Sequence, residues 1–221
     1  MKTARTCLGR IIAVGMAALL LIGALPLSAM ATDDEIITDV GSAEILQSAV
    51  QNPEGIIRLS GDIVLQEPLK VSKDVTIDLN SREIRASYTT ETKDPRATII
   101  VEEDGSLTLL GDGKVWAPGK IDAEEEPEHD RYALCVNGSL TVGGSVSILA
   151  ENDDDKSFLI TLFNGAKLTL QDNVTVSGGV FGIKVSAGGP APVISVAPDK
   201  MISVSSGNPL SLNGLLLETI T

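Results

Sequence analysis

Apolar and polar residues alternate through Val75-Thr-Ile-Asp-Leu-Asn80, the chain turns at a polar corner, Asn80-Ser81, and an apolar residue returns at Ile84. A period of two marks a strand with one buried and one wet face. The pattern recurs in Gly105-Ser-Leu-Thr-Leu109, Gly138-Ser-Leu-Thr-Val142 and Gly165-Ala-Lys-Leu-Thr-Leu170, each followed by a second short strand ending near Val115, Ile148 or Val176. The equivalent Leu107, Leu140 and Leu168 lie 33 and 28 positions apart. That is too far for neighbouring hairpin strands and right for one turn of three short strands plus a loop. Between Ile56 and Leu79 the strands follow too closely for crossover helices. A module repeated at this interval predicts a solenoid, with inward aliphatic ladders and variable loops expelled sideways. Ile77, Leu79, Leu107, Leu109, Leu140, Val142, Leu168 and Leu170 are expected to point inward.

Ahead of the strands, Ser42 opens a short helix over Ala43–Gln51, with Leu46, Ala49 and Val50 on one side and Pro53-Glu-Gly55 ending it. A helix this short is unstable alone, so its apolar side is expected to cap the open end of the stack. Coils are expected over residues 56–205. Residues 206–221, with Leu210, Leu212 and Leu215 to Leu217, read as a tail folded across the last coil.

The first 31 residues stand apart. Lys2, Arg5 and Arg10 precede an apolar stretch from Ile11 to Leu25 that is short for a membrane span, and Ala29-Met-Ala31 is a small-x-small site. This is the layout of a secretory signal peptide, with cleavage expected after Ala31. Residues 32–41 then read as a flexible acidic leader, and 42–221 as a single domain. The protein is expected to be secreted or held at the cell surface, without membrane insertion after cleavage.

Composition narrows the chemistry. Aromatics are 3% against 43% hydrophobic residues overall, so aliphatic side chains must fill the core, which suits thin stacked layers. The signal segment carries three of the 17 basic residues and no acidic one, leaving 14 basic against 30 acidic, a net charge of −16. Such a surface excludes nucleic acid as a partner and disfavours anionic membranes. Cys7 leaves with the signal, so Cys135 is left alone and reads as a small buried residue. The chain is expected to be a monomer.

Three polar segments interrupt the strands: Ser87 to Arg96, Pro118 to Arg131 and Glu151 to Lys156. The second holds Glu124, Glu126 and Asp130, the third Asp153, Asp154 and Asp155, all hard oxygen ligands of the kind calcium takes. No cofactor is required by any motif, and calcium is the ion expected if these residues hold one. If the coils stack, the second and third segments leave adjacent turns on one side. Trp116 and Tyr132 flank the second segment and are the rings expected on a binding face. Phe158, Phe163 and Phe181, in strand contexts, are expected in the core.

The succession of the short helix Ala43-Glu-Ile-Leu-Gln-Ser-Ala-Val50, then Ile57-Arg-Leu-Ser-Gly-Asp-Ile63, then Val75-Thr-Ile-Asp-Leu-Asn80 resembles the opening of right-handed parallel β-helix domains of the pectate-lyase-like superfold, found in many bacterial exported and surface proteins. The resemblance covers roughly residues 42 to 205. It implies an all-β, right-handed parallel β-helix with a short N-terminal capping helix. One departure is Ser81, where glycine commonly follows the Asn of such a motif. The superfold hosts lyases, hydrolases, adhesins and proteins without catalysis, so fold does not settle activity.

A calcium-dependent lyase resembling pectate lyase would place Glu102-Glu103-Asp104 on the ion and use Arg131 or Lys120 as base, but the Arg-x-Pro-x-x-Arg segment is missing. The polygalacturonase type would need Gly-His-Gly and Arg-x-Lys, both missing; the single histidine is His129. The reading is therefore a non-catalytic secreted or surface β-helix protein, adhesin-like, binding an extracellular glycan or a surface protein. The alternative is a calcium-dependent polysaccharide lyase or related polysaccharide-degrading enzyme.

Overall fold

A computed structural model describes residues 35–87, 96–119, 130–150, 157–186, 189–200, 202–206, 208–211 and 216–219. The signal segment, Glu124, Glu126 and Asp153 to Asp155 lie outside them. Strands are numbered in chain order and sort into three sheets, every neighbouring pair parallel. Sheet A runs β1 (Ile37–Val40), β2 (Ile56–Leu59), β5 (Asp74–Asp78), β8 (Ser106–Leu110), β11 (Ser139–Val142), β14 (Lys167–Leu170), β17 (Val193–Val196), β20 (Leu216–Thr219). Sheet B runs β3 (Ile63–Leu65), β6 (Glu83–Ala86), β9 (Asp112–Trp116), β12 (Ser145–Leu149), β15 (Val174–Ser177), β18 (Ile202–Ser205). Sheet C runs β4 (Leu69–Val71), β7 (Arg96–Val101), β10 (Arg131–Val136), β13 (Ser157–Leu162), β16 (Phe181–Val185), β19 (Asn208–Ser211). From β2 to β19 the chain visits A, B and C six times in that order. This is a right-handed parallel β-helix.

The repeat read from the sequence is the register of sheet A. Leu107 pairs with Leu140 and Leu140 with Leu168. All eight residues expected inward are buried in one aliphatic cluster with Leu46 and Val50 of the helix. Outward, Thr76, Thr108, Thr141 and Thr169 follow one another coil to coil. The glycine that opens each Ser-Leu-Thr is there because the backbones touch at that corner. A Cβ on Gly105 would collide with the carbonyl of Val71, and one on Gly138 with the carbonyl of Gly105.

Helix α1 spans Ala43–Gln51, and the Ser42 hydroxyl caps it by accepting from Ile45 N at 3.4 Å. It packs on β1, β3 and β4. Between β1 and β2, both in sheet A, the helix thus stands where strands of sheets B and C would come.

Two stretches differ from expectation. The last residues of the leader, Ile37–Val40, are strand β1, paired with β2 and burying Val40 in the core; a polar lead-in hides this pattern of only four residues. In the described part of the tail β19 pairs with β16 and β20 with β17, so these segments complete the sixth coil and start a seventh instead of lying across the last one; Leu212 and Leu215 lie outside the described residues.

Candidate functional site

The connections from sheet A to B and from C to A are mostly short. Three connections from B to C are long: residues 87–95 between β6 and β7, 117–130 between β9 and β10, and 150–156 between β12 and β13. Since β6, β9 and β12 are neighbours in sheet B, and β7, β10 and β13 in sheet C, all three leave one corner in consecutive coils. The expectation that the two acidic segments depart from adjacent turns holds for their points of attachment.

On the sheet B side, strand alternation turns Glu83, Arg85, Lys114 and Trp116 outward. The Glu83 carboxylate accepts from Lys114 Nζ at 2.8 Å through Oε1, and from Arg85 Nη2 at 2.8 Å and Nε at 2.9 Å through Oε2. The Trp116 indole N–H donates to the same Oε2 at 3.1 Å, and the Arg85 guanidinium lies 4.1 Å from the centre of the Trp116 ring. The bond from Lys114, aided by Arg85 and opposed by partial burial, holds the Glu83 carboxyl below its ordinary range. Trp116 is thus half-buried, with Arg85 against its ring and its N–H in use.

On the sheet C side the rings stack. Tyr132, Phe158 and Phe181 occupy one register row in consecutive coils, with centroids 5.4 Å apart at both steps. Lys184 Nζ sits 4.0 Å from the centre of the Phe158 ring, and the Tyr132 hydroxyl donates to Asp130 Oδ2 at 3.2 Å. This corrects the expectation that the phenylalanines fill the core. Phe158 is buried but outside the main cluster, and Phe163 packs with Tyr132 on a second small cluster of Ala97, Ile100 and Cys135. Burial pushes the Cys135 thiol up to about 11, which agrees with an unreactive buried residue.

At the head of sheet C, Arg96 pairs with Arg131 and Arg131 with Ser157; all three are buried, and Arg131 Nη2 lies 3.5 Å from Ser157 Oγ. Two guanidiniums taken out of water in adjacent coils need compensating charge. Both acid-rich connections are tied to this row, residues 117–130 entering it at Arg131 and 150–156 at Ser157.

Of the residues singled out for calcium, Asp130 alone is described. It is half-buried, and its carboxylate accepts from Tyr132. Among the described residues no group of three or more His, Cys, Asp or Glu side chains converges on a point. Trp116 ends a strand of sheet B and Tyr132 begins one of sheet C, so the two stand on opposite sides of the corner. Of the lyase set, Lys120 lies outside the described residues, and Arg131 is not brought to the acidic residues: Glu102, Glu103 and Asp104 follow the far end of β7, whereas Arg131 pairs with Arg96 at its start. Six strand residues separate them, about 20 Å.

Sequence reasoning missed Glu83 and Arg85. The signal was available once coils were aligned: Glu83 and Lys114 are register partners, so opposite charges fall one coil apart. Scans of the chain against protein-family models, curated proteins and solved structures found no match in any of the three.

Proposed function

We propose that this chain is exported and acts, without catalysis, as a secreted or cell-surface binding module of the pectate-lyase-like kind known from bacterial surface proteins, its partner an extracellular glycan or a surface protein. The observation that carries the reading is the departure of three of the four longest connections, in consecutive coils, from the corner between sheets B and C. Variable connections gathered on one side of a rigid scaffold are where binding residues are usually placed. Acid-rich connections favour a neutral or cationic partner, or one bridged by calcium. One ring face of Tyr132 is taken by Phe158, and the Trp116 ring is taken up by Arg85. Contact with sugar is therefore expected through ring edges and polar groups rather than through an open stacking platform.

The exported protein, tested on an array of neutral and uronate glycans with and without calcium, should bind without cleaving. Replacing residues 121–128 by a Gly-Ser linker should abolish binding and leave the circular dichroism unchanged. Calcium-dependent formation of unsaturated uronate product, lost on Arg131→Ala or Glu103→Ala, would replace this reading with the lyase.

A further inference from the structure

Glycine follows asparagine at Asn137-Gly138, Asn164-Gly165 and Asn213-Gly214, and the first two pairs stand at the same corner, between sheets C and A. The third lies outside the described residues. In such a pair no side chain shields the glycine nitrogen, which is then able to reach the asparagine Cγ and close a five-membered ring. In a folded chain the reaction depends on what holds the two groups.

The fold holds Asn137 and leaves Asn164 open. Asn137 is half-buried; its N–H donates to Val101 O at 2.8 Å and its Nδ2 to the same oxygen at 3.4 Å. Gly138 is stacked so closely on the coil below that a Cβ would collide with the Gly105 and Glu102 carbonyls. Ring closure there would break the amide's hydrogen bond and press new atoms against backbone. Asn164, by contrast, is exposed. With Gly165 it forms a two-residue turn at φ 31° and 75°, closed by Ala166 N donating to Phe163 O at 2.8 Å. Among the described residues neither the Asn164 amide nor the Gly165 N–H has a hydrogen-bond partner.

We propose that Asn164 is a modification site, where an internal reaction removes the amide and the product loosens the join between neighbouring coils. The Gly165 nitrogen gives up its proton and attacks Asn164 Cγ; the bond from Cγ to the side-chain nitrogen breaks, and ammonia leaves with that proton, giving a succinimide. Water then opens the ring. Cleavage between Cγ and the Gly165 nitrogen gives aspartate, and cleavage of the original peptide bond gives isoaspartate, whose main chain runs through the former side chain and is longer by one methylene. Water is the only co-reactant. The longer link falls where there is little slack: a Cβ on Gly189, in the turn between β16 and β17, would lie 2.5 Å from Asn164 Oδ1, and Pro190 Cβ is 3.3 Å from the Cβ position of Gly165. Lengthening the turn between β13 and β14 therefore pushes the next turn, and β17 with it, away from β14. The site does not depend on the glycan-binding reading.

Ageing the exported protein in mildly alkaline buffer and digesting it with trypsin tests this, because cleavage after Arg131, Lys156, Lys167 and Lys200 puts each Asn-Gly pair in a separate peptide. The peptide of residues 157–167 should gain one mass unit and separate into aspartate and isoaspartate forms. Its rate in the folded protein should lie within about tenfold of its rate in urea, whereas conversion at Asn137, located by fragmentation, should be slowed about a hundredfold or more by the need to open the corner first. Asn164→Asp adds the charge without the methylene and should keep the urea midpoint of fresh wild type, while aged protein enriched in isoaspartate should fall below both. A folded protein whose 157–167 peptide stays unchanged while the urea-unfolded chain converts overturns the proposal. So does conversion at Asn137 as fast as at Asn164 in the folded state, or an isoaspartate form with the midpoint of fresh protein.

Discussion

Glu83 and Trp116 lie one coil apart on the outer face of sheet B, and the indole N–H of Trp116 donates to Glu83 Oε2 at 3.1 Å. The same carboxylate takes Arg85 and Lys114, so one acidic side chain ties three donors on two neighbouring strands. Its charged form is favoured in the folded state, and its folded pKa lies below the ordinary 4.5. The stability this contributes is therefore complete above the unfolded value and lost as pH falls through the folded one. Glu83→Gln should lower the urea midpoint at pH 7 by an amount worth about 1–2 kcal/mol, since charge-assisted bonds become neutral ones. As pH falls below 4.5 and through the folded pKa the two proteins should converge. An equal gap at pH 7 and at pH 3 would mean the carboxylate charge has no part in it.

The stack of Tyr132, Phe158 and Phe181 lies outside the main core. Phe158 contacts a ring on each side and Lys184 above, so Phe158→Ala removes two stacking contacts and a cation–π contact at once. A loss of about 3–5 kcal/mol is expected for truncating a buried phenylalanine. Phe158→Leu should recover a large part of it. If Phe158→Ala unfolds in urea at the wild-type midpoint, the stack is ornamental to the fold.

Thr161 tells the opposite story. It faces outward in sheet C, in one row with Cys135 and Lys184, and is almost fully buried, yet its hydroxyl has no hydrogen-bond partner. Thr161→Val keeps the shape and removes a hydroxyl that gave up water for nothing. The expected gain is about 1 kcal/mol, visible as a rise of a few degrees in Tm. A fall of that size would show that the hydroxyl is satisfied by a bound water.

Sheet A was legible because its middle strands mostly obey one rule, apolar inward and Ser, Thr or charge outward, with Leu107, Leu140 and Leu168 marking the register. Sheet C was less so. Both faces of β7, β10 and β13 are buried, which turns alternation into continuous apolar runs and removes the contrast that assigns a residue to the core or to the outside. For this reason Phe158 was expected inside. The corner at Asn80 and Ser81 was readable as a turn, and both residues have positive φ, 47° and 61°. Ser81 replaces the glycine such a corner favours, and its hydroxyl bonds to Asp112 Oδ2 at 2.8 Å. That bond crosses 31 residues and no local pattern announces it. At the candidate site, adjacency of the long connections followed from the repeat, but the Glu83 cluster needed the register.

Glycines at the corner between sheets C and A offer the sharpest test of the register itself. Gly138 lies over Gly105 so closely that a Cβ would collide with the Gly105 and Glu102 carbonyl oxygens, both backbone atoms that cannot swing aside. Gly138→Ala should therefore force neighbouring coils apart and cost about 2–4 kcal/mol, in the range of overpacking with backbone displacement. Gly61 is the internal control. It also sits in a turn, between β2 and β3, but the nearest atom to its Cβ position is the Gly41 carbonyl oxygen at 3.7 Å, an ordinary contact. Gly61→Ala should be neutral or stabilise by about 0.4–1 kcal/mol, because alanine has less backbone freedom to lose on folding. The two variants make the same chemical change, so unfolded-state effects largely cancel in their difference. Urea midpoints that fall equally for both would mean the coils are not held at strand spacing at that corner, and the register of Leu107 over Leu140 would have to be redrawn.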